Sequence, residues 1–295
     1  MICVAAVSCG AERVETKGGE IRFSAPLTRG TAISDADGVA SAGGFTVWAY
    51  SHPGAWSDAA ARTAIFEGTA VTRPGTEWSY GTARQWPVGM NISFFAFAPA
   101  GTAGLSVSAT DGVPEITFAV ADDITAQTDL LIAREMFDAQ GPSPVPVVFD
   151  HALARVEFSA VKSPETAGEV VITAARLEGV ADRATAPMLS PVEWSTEEEE
   201  GSYRLESGVG LRPGVALSGA AQPLTAAGWA MFMIPQGLSA ATMTVEYSVD
   251  GEELSWSGPV PSAGWSAGRR YDYLITIDRV SVDLTEIVFD LESGN

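Results

Sequence analysis

Residues 147–158 read VVFDHALARVEF, and this stretch decides how the chain divides. Val147, Phe149, Leu153 and Val156 or Phe158 read as inward positions, a near-alternation that marks a β-strand with one buried face. The stretch also carries His151 beside Asp150, and the chain has only one other histidine, His52. Neighbours along a strand point to opposite faces, so the pair does not make a proton relay and the stretch reads as structural. It follows GPSPVP, residues 141–146, whose prolines interrupt regular structure. The expected organisation is one β-sandwich over residues 20–146 and a second over 147–295.

Toward the N-terminus, Ile21-Arg22-Phe23-Ser24 alternates into a short first strand ended by Pro26. Residues 34–44 are small and polar and read as loop. Residues 45–50, FTVWAY, carry apolar groups on both faces, as in a strand covered on each side. Residues 58–65 suit one helical turn capped by Ser57. Residues 92–98, ISFFAFA, are apolar almost throughout and end at Pro99, which predicts a central strand buried on both sides. Toward the C-terminus, residues 170–177 and 242–249 alternate, and Asp250-Gly251 predicts a tight hairpin. Glu197, Glu198, Glu199 and Glu200 run consecutively. Consecutive side chains splay apart, so the run reads as a solvated loop and not as a paired-acid site. The last apolar teeth are Val280, Val282 and Leu284, then Ile287, Phe289 and Leu291. About twelve to fifteen short runs and no long helical pattern predict an all-β chain, most simply two sandwiches of six to eight strands each.

The 295 residues carry 37 acids against 17 Lys and Arg, a net charge of −20, with 46% hydrophobic residues. That much apolar surface supports a packed core. The acidity disfavours nucleic acid, which needs a basic face. The cysteines, Cys3 and Cys9, both fall in the first nine residues, so neither a disulfide framework nor a cysteine zinc site is expected in the body of the protein. With two histidines and no EF-hand loop pattern, no metal or other cofactor is expected. No G-x-S-x-G elbow is present, and no residues are nominated as catalytic. Trp48, Trp56, Trp78 and Trp86, with Trp229, would make a sugar-stacking platform if exposed on one face. Ordinary core packing is the alternative.

Residues 1–9, MICVAAVSC, are apolar and end in small residues before Cys9. They look like the tail of a bacterial lipoprotein signal, in which Cys9 becomes the lipidated N-terminus. Ala6 stands where Leu is usual, there is no basic leader, and the stretch is far shorter than the roughly 15–30 residues of a full signal. The expectation is that Met1 lies inside a longer signal, with residues 10–19 as a polar tether. A plain apolar terminus is the other reading.

The chain resembles the fimbrillin family of Bacteroidetes, the major-fimbrium and Mfa-like pilin subunits. The carriers are Leu27-Thr28-Arg29, residues 45–50, Trp86-Pro87 leading into SFFAFAP at 93–99, QTDLLIA at 127–133, FDHALARV at 149–156, Ile234-Pro235-Gln236, and residues 265–273. The resemblance implies two tandem transthyretin-like (Ig-like) β-sandwich domains, export as an outer-membrane lipoprotein, and assembly with other fimbrial subunits into surface fimbriae that can meet host or bacterial ligands. It also implies cleavage after an arginine near the first strand, here Arg29, and donation of a strand into the vacated groove. Val280, Val282, Leu284, Ile287, Phe289 and Leu291 carry the candidate donor strand. Arg29 as an ordinary surface residue, and a last strand folded back on its own domain, remain the alternatives. A surface glycan-binding lipoprotein outside any pilus is the second functional class.

Overall fold

A computed structural model of the chain describes residues 19–25, 36–57, 61–109, 112–139, 141–196, 200–207, 210–211, 216–225, 230–279 and 281–290. In chain order its first strands are β1 (Phe23–Ser24), β2 (Phe45–His52), β3 (Thr63–Val71), β4 (Asn91–Ala98), β5 (Leu105–Ser108), β6 (Glu115–Ala119), β7 (Leu131–Phe137), β8 (Val145–Pro146) and β9 (Asp150–His151). Then come β10 (Ala154–Lys162), β11 (Val170–Ala181), β12 (Arg183–Pro187), β13 (Ser195–Thr196), β14 (Glu200–Ser207), β15 (Gly210–Leu211) and β16 (Gln222–Pro223). The last are β17 (Met231–Met233), β18 (Thr242–Val249), β19 (Glu252–Pro259), β20 (Arg269–Ile277) and β21 (Val282–Asp290). One helix, α1 (Ala36–Ser41), and a 3₁₀ turn at Ile124–Ala126 complete the described elements. The chain is all-β, as its alternation predicts.

The sheet ordered β3-β2-β4-β7-β9 stands between two hydrophobic clusters. Alternation along each strand explains this. Phe45, Val47 and Ala49 of β2, with Ile92, Phe94 and Ala96 of β4, enter one cluster. Tyr50, Phe95, Phe97 and Ile132 enter the other. The near-continuous apolar run of β4 thus serves two cores, one side chain to each in turn. The second cluster continues into the later strands. There the sheet β16-β10-β20-β21 and the sheet β15-β14-β11-β18-β19 contribute Phe158, Tyr273, Leu177 and Val245 to the same core. A further sheet, β13-β12-β6-β5, takes two strands from each side of residue 147, with Ala119 opposite Arg183 and Glu115 opposite Pro187.

The stretch 147–158 threads from one body to the other. Val147, Phe149, Leu153, Val156 and Phe158 are all buried. The segment is first an arm of the N-terminal core, where β9 pairs with β7, and only from Ala154 does it become β10, parallel to β20. Residues of the motifs quoted above act as pins between these parts. Gln127 accepts a hydrogen bond from the Phe232 N–H at 2.8 Å and donates to the Ala121 carbonyl at 2.9 Å. Gln236 accepts from the Ala181 N–H at 2.7 Å and donates to its carbonyl at 3.0 Å. Each amide thereby completes backbone bonding that the ladders leave open.

Two local expectations are corrected. Residues 34–44, expected as loop, contain α1, whose single apolar tooth Val39 is buried in the N-terminal cluster. The helical turn expected over 58–65 is replaced at Thr63 by β3, because pairing with β2 outweighs local propensity there. Residues 58–60 lie outside the described residues, as do Glu197, Glu198 and Glu199, and Glu200 opens β14. The hairpin at Asp250-Gly251 joins β18 to β19 with positive φ at both residues, 50° and 83°, as a right-twisted two-residue turn requires.

Gly68 interrupts β3 with φ of 61°, and a Cβ there would sit 3.2 Å from the Trp48 indole. Gly68→Ala is expected to cost about 1–2 kcal/mol, from left-handed backbone strain plus displacement of the indole. Urea melts of the variant and the parent measure it.

Candidate functional site

β1 and its flanks, residues 19–25, form a short strip that plugs the N-terminal core. Ile21, Phe23 and Ala25 are buried, and Arg22 between them is exposed. The Phe23 ring is surrounded by Phe45, Phe66, Tyr80 and Phe94, with centroids 5.6, 5.5, 5.6 and 5.9 Å away. Most of these contacts are edge-on, the arrangement that ring quadrupoles favour.

The strip is held from both sides by main-chain bonds. On one side β8 runs parallel to it, and the Val145 and Val147 N–H groups donate to the carbonyls of Arg22 and Ser24 at 2.6 and 2.8 Å. The Pro-Val-Pro-Val sequence suits this. The two valines supply donors toward β1, and the missing N–H groups of Pro144 and Pro146 fall at the alternate positions, on the other edge. On the other side, Ile21 N–H donates to the Arg84 carbonyl and Trp86 N–H to the Gly19 carbonyl, each at 2.9 Å. The Tyr80 hydroxyl donates to the Ile21 carbonyl, and burial raises the Tyr80 phenol above its ordinary pKa, so it stays a donor. Beyond β1 opens a cleft of about 730 Å³, lined by Phe23, Ala25, Arg73, Trp78, Tyr80 and others.

Were β1 withdrawn, the groove would keep its aromatic floor, two unpaired N–H groups at Val145 and Val147, and a free carbonyl at Arg84. That is a socket for an extended chain with apolar side chains at alternate positions. Phe94, Phe66 and Phe45 form the floor, and their positions on β4, β3 and β2 are set by the ladders.

The other nominated residues are dispersed. Cys9, Arg29, Val280, Leu291 and Trp229 lie outside the described residues. In sequence, Arg29 comes four positions after Ala25. β21 is paired antiparallel with β20 along its whole length, from Val282 opposite Ile277 to Asp290 opposite Arg269. Val282 is buried and Leu284 half-buried, whereas Ile287 and Phe289 are exposed. The four described tryptophans of that set are divided between the two clusters, Trp48 and Trp56 at one and Trp78 and Trp86 at the other. Trp48 packs against Phe97 and Trp56 against His52 and Phe95. Trp86 is buried between Phe94 and Phe137, and Trp78 lies between Phe45 and the Arg73 guanidinium. These contacts are those of core packing, with Trp78 half-buried at the edge of the cleft.

Both histidines are engaged structurally. His52 Nε2 meets the Ser93 hydroxyl at 2.9 Å, but its Nδ1 faces the Gly54 carbonyl at 3.0 Å, so Nδ1 carries the proton and no carboxylate orients the ring. Ser93 is fully buried, out of reach of a substrate. His151 Nδ1 lies 3.1 and 2.9 Å from the two carboxylate oxygens of Asp129, both side chains being buried. Asp150 points away and accepts from Ser190. Among the described residues no group of three or more His, Cys, Asp or Glu is placed to hold a metal ion.

A family model described as fimbrillin-like matches residues 28–292. The chain belongs to the fimbrillin-like family. The match takes in β21 and starts just after the β1 strip. A comparison with curated proteins found no match. Among solved structures, a fimbrial protein from Bacteroides vulgatus is similar to this fimbrillin-like chain at 15% identity, covering 92% of it and 100% of that protein, with a TM-score of 0.70. Two proteins described as cell adhesion candidates are similar as well. The one from Bacteroides ovatus is 15% identical with a TM-score of 0.59, and the one from Bacteroides uniformis is 16% identical with a TM-score of 0.53. Each comparison covers 92% of this chain and 98% of the other. At such identities the likeness shows a shared fold.

Proposed function

We propose that this fimbrillin-like chain is a structural or adhesive subunit of cell-surface fimbriae, a role without catalysis. In this reading it is exported as a lipoprotein lipidated at Cys9 and reaches the outer membrane. Cleavage at Arg29 then frees the N-terminal strip, and a strand from another subunit takes its place. The observation that carries the reading is the β1 strip itself. It fills the core with alternate side chains and makes main-chain bonds on both edges, as a bound peptide does, and Arg29 follows it four residues on in sequence. Cutting there turns a tethered segment into a dissociable ligand, because the effective concentration that the covalent link supplies is lost. The family match and the fimbrial relative of the same fold support the setting.

The test treats the purified full chain with an arginine-specific protease and follows its size. Ladders that resist SDS are expected from the parent, and Arg29→Ala is expected to remain monomeric. A clean monomer after cleavage at Arg29 counts against strand addition. Lipidation is tested separately with radioactive palmitate in cells. Cys9→Ala should lose the label, and equal labelling removes Cys9 as the anchor.

A further inference from the structure

A second cleft, of about 270 Å³, lies where the chain passes from one body to the other. Ile132 of β7 and Asp150 of β9 line it from the N-terminal sheet. Leu189, Pro191 and Val192 line it from the connection between β12 and β13, and Gly268 from the turn that enters β20. Asp150 is the only acid among the described residues of this lining, and it is half-buried.

The Asp150 carboxylate has no counter-ion. The Ser190 hydroxyl, in the same lining, donates to its Oδ2. Among the described residues no Lys or Arg lies within ion-pair distance of it, whereas Arg155, Arg204 and Arg270 each sit on a carboxylate elsewhere. The base on β7, Arg134, is turned to the Phe95 ring, 5.9 Å from its centroid. His151 also lines the cleft, but its Nδ1 is 2.9 Å from the Asp129 carboxylate, and that pair adds no net positive charge in either state of the imidazole. The Asp150 charge is felt on the far side of its strand. Burial pushes the Glu135 carboxyl up, the Val148 N–H pulls it down, and Asp150 pushes it up again. A carboxylate set among aliphatic side chains has lost part of its hydration, and a cation makes good that loss.

We propose that this cleft takes the side chain of a lysine or arginine presented by a partner polypeptide. The aliphatic stem lies against Ile132, Leu189 and Val192, and the charged head meets Oδ1 of Asp150, the oxygen that Ser190 leaves open. The size agrees. Drug-sized ligands occupy roughly 300–1,000 Å³, and this smaller cleft holds one long side chain. Arginine seated in such a pocket is a common anchor of protein interfaces. The source is a polypeptide because apolar surface continues past the cleft. Val148, two residues before Asp150 on the same side of its extended arm, is 37% exposed, and Met136, on the same face of β7 as Ile132, is 53% exposed. A small amine would touch neither. At long range the net charge of −20 draws cations toward the chain. The site uses neither β1, Arg29 nor β21, so it is independent of strand addition.

The test uses the purified, uncut full-length chain and three probes: a blocked tripeptide with arginine between two leucines, the same tripeptide with norleucine at its centre, and agmatine. Calorimetry gives the affinity, and amide shifts at residues 148–150 and 189–190 give the place. The arginine peptide is expected to bind the parent and to move those amides. Asp150→Asn keeps an acceptor for Ser190 but removes the charge, and is expected to weaken the peptide roughly tenfold or more. Ser190→Lys, at an exposed position, installs a resident cation beside Asp150 and is expected to weaken it as much. Glu252→Gln removes one charge from the exposed start of β19 and is expected to stay within about twofold. Melting temperatures are measured alongside; if Asp150→Asn unfolds early, Ser190→Lys carries the comparison. Equal weakening by Glu252→Gln would mean attraction to overall charge and overturns the site. A norleucine peptide that binds as well as the arginine one overturns the part given to Asp150. Agmatine that binds as tightly as the peptide overturns a polypeptide as the source. A parent whose amides at these residues do not move overturns the proposal outright.

Discussion

Phe94→Ala is expected to lower the unfolding free energy by about 3–5 kcal/mol, the range for removing a buried phenylalanine. Phe94 lies on β4 at the floor of the β1 groove. It touches Phe23, Phe66, Trp86 and Phe137, with centroids 5.9, 6.5, 5.9 and 6.1 Å away. β4 is central, paired with β2 and β7, so the backbone cannot close over the void. The loss therefore includes transfer of the ring and the cavity it leaves. Phe23 packs on the same ring, so the damage reaches β1: amide exchange at residues 21–24 should quicken more than at β18, which belongs to the other core. Urea melts give the first quantity and hydrogen exchange the second. A loss below about 1 kcal/mol, the size of an ordinary surface change, would mean that this ring is not the floor described.

His151→Ala is expected to cost about 3–5 kcal/mol as well, by a different route. The substitution leaves the Asp129 carboxylate buried without its partner, and an uncompensated buried charge is heavily penalised. Asp129→Asn retains a carbonyl facing the ring and is expected to cost less. Both residues sit where the chain passes from the N-terminal sheet toward β10, so the weakened link lies between the two cores. The decisive comparison is with assembly. At a temperature where the variant is still folded, protease-triggered polymerisation should match the parent. Normal stability with lost assembly would instead give His151 a direct part in subunit contact.

Much of this fold is legible in the sequence because its signals are local. The apolar groups on both faces of residues 45–50 and the unbroken run of 92–98 announce strands covered on each side, and β2 and β4 match. Asp250-Gly251 announces its turn because φ above zero at two successive residues suits few other pairs. Where the local signal was weak, the reading failed. Residues 63–65 carry no strong pattern and become strand only because β2 offers an edge. Residues 34–44 show one buried tooth, Val39, too little periodicity to mark a helix.

The candidate site was legible only in part. Ile21-Arg22-Phe23-Ser24 reads as a short strand, but its partner lies more than a hundred residues later, in a Pro-studded segment that looks like a mere break. Nothing in Pro-Val-Pro-Val says that its two valine N–H groups face β1; that follows from the parallel ladder. Likewise His151 is visibly next to Asp150, yet its partner is Asp129, brought there by the pairing of β9 with β7.

By itself, then, the sequence determined the all-β class, the inward positions of 147–158, the central strand and the tight hairpin, since side-chain period and turn chemistry act over a few residues. The tertiary structure decided what each buried face is buried against: that β4 serves two cores, that β6 pairs with β12, that β1 is a plug between β8 and residues 84–86, and that Ile287 and Phe289 face solvent. The physical reason is that alternation marks a strand's apolar face but carries no information about its neighbour. Strand pairing and register come from contacts between distant parts of the chain, which form only when the whole core closes.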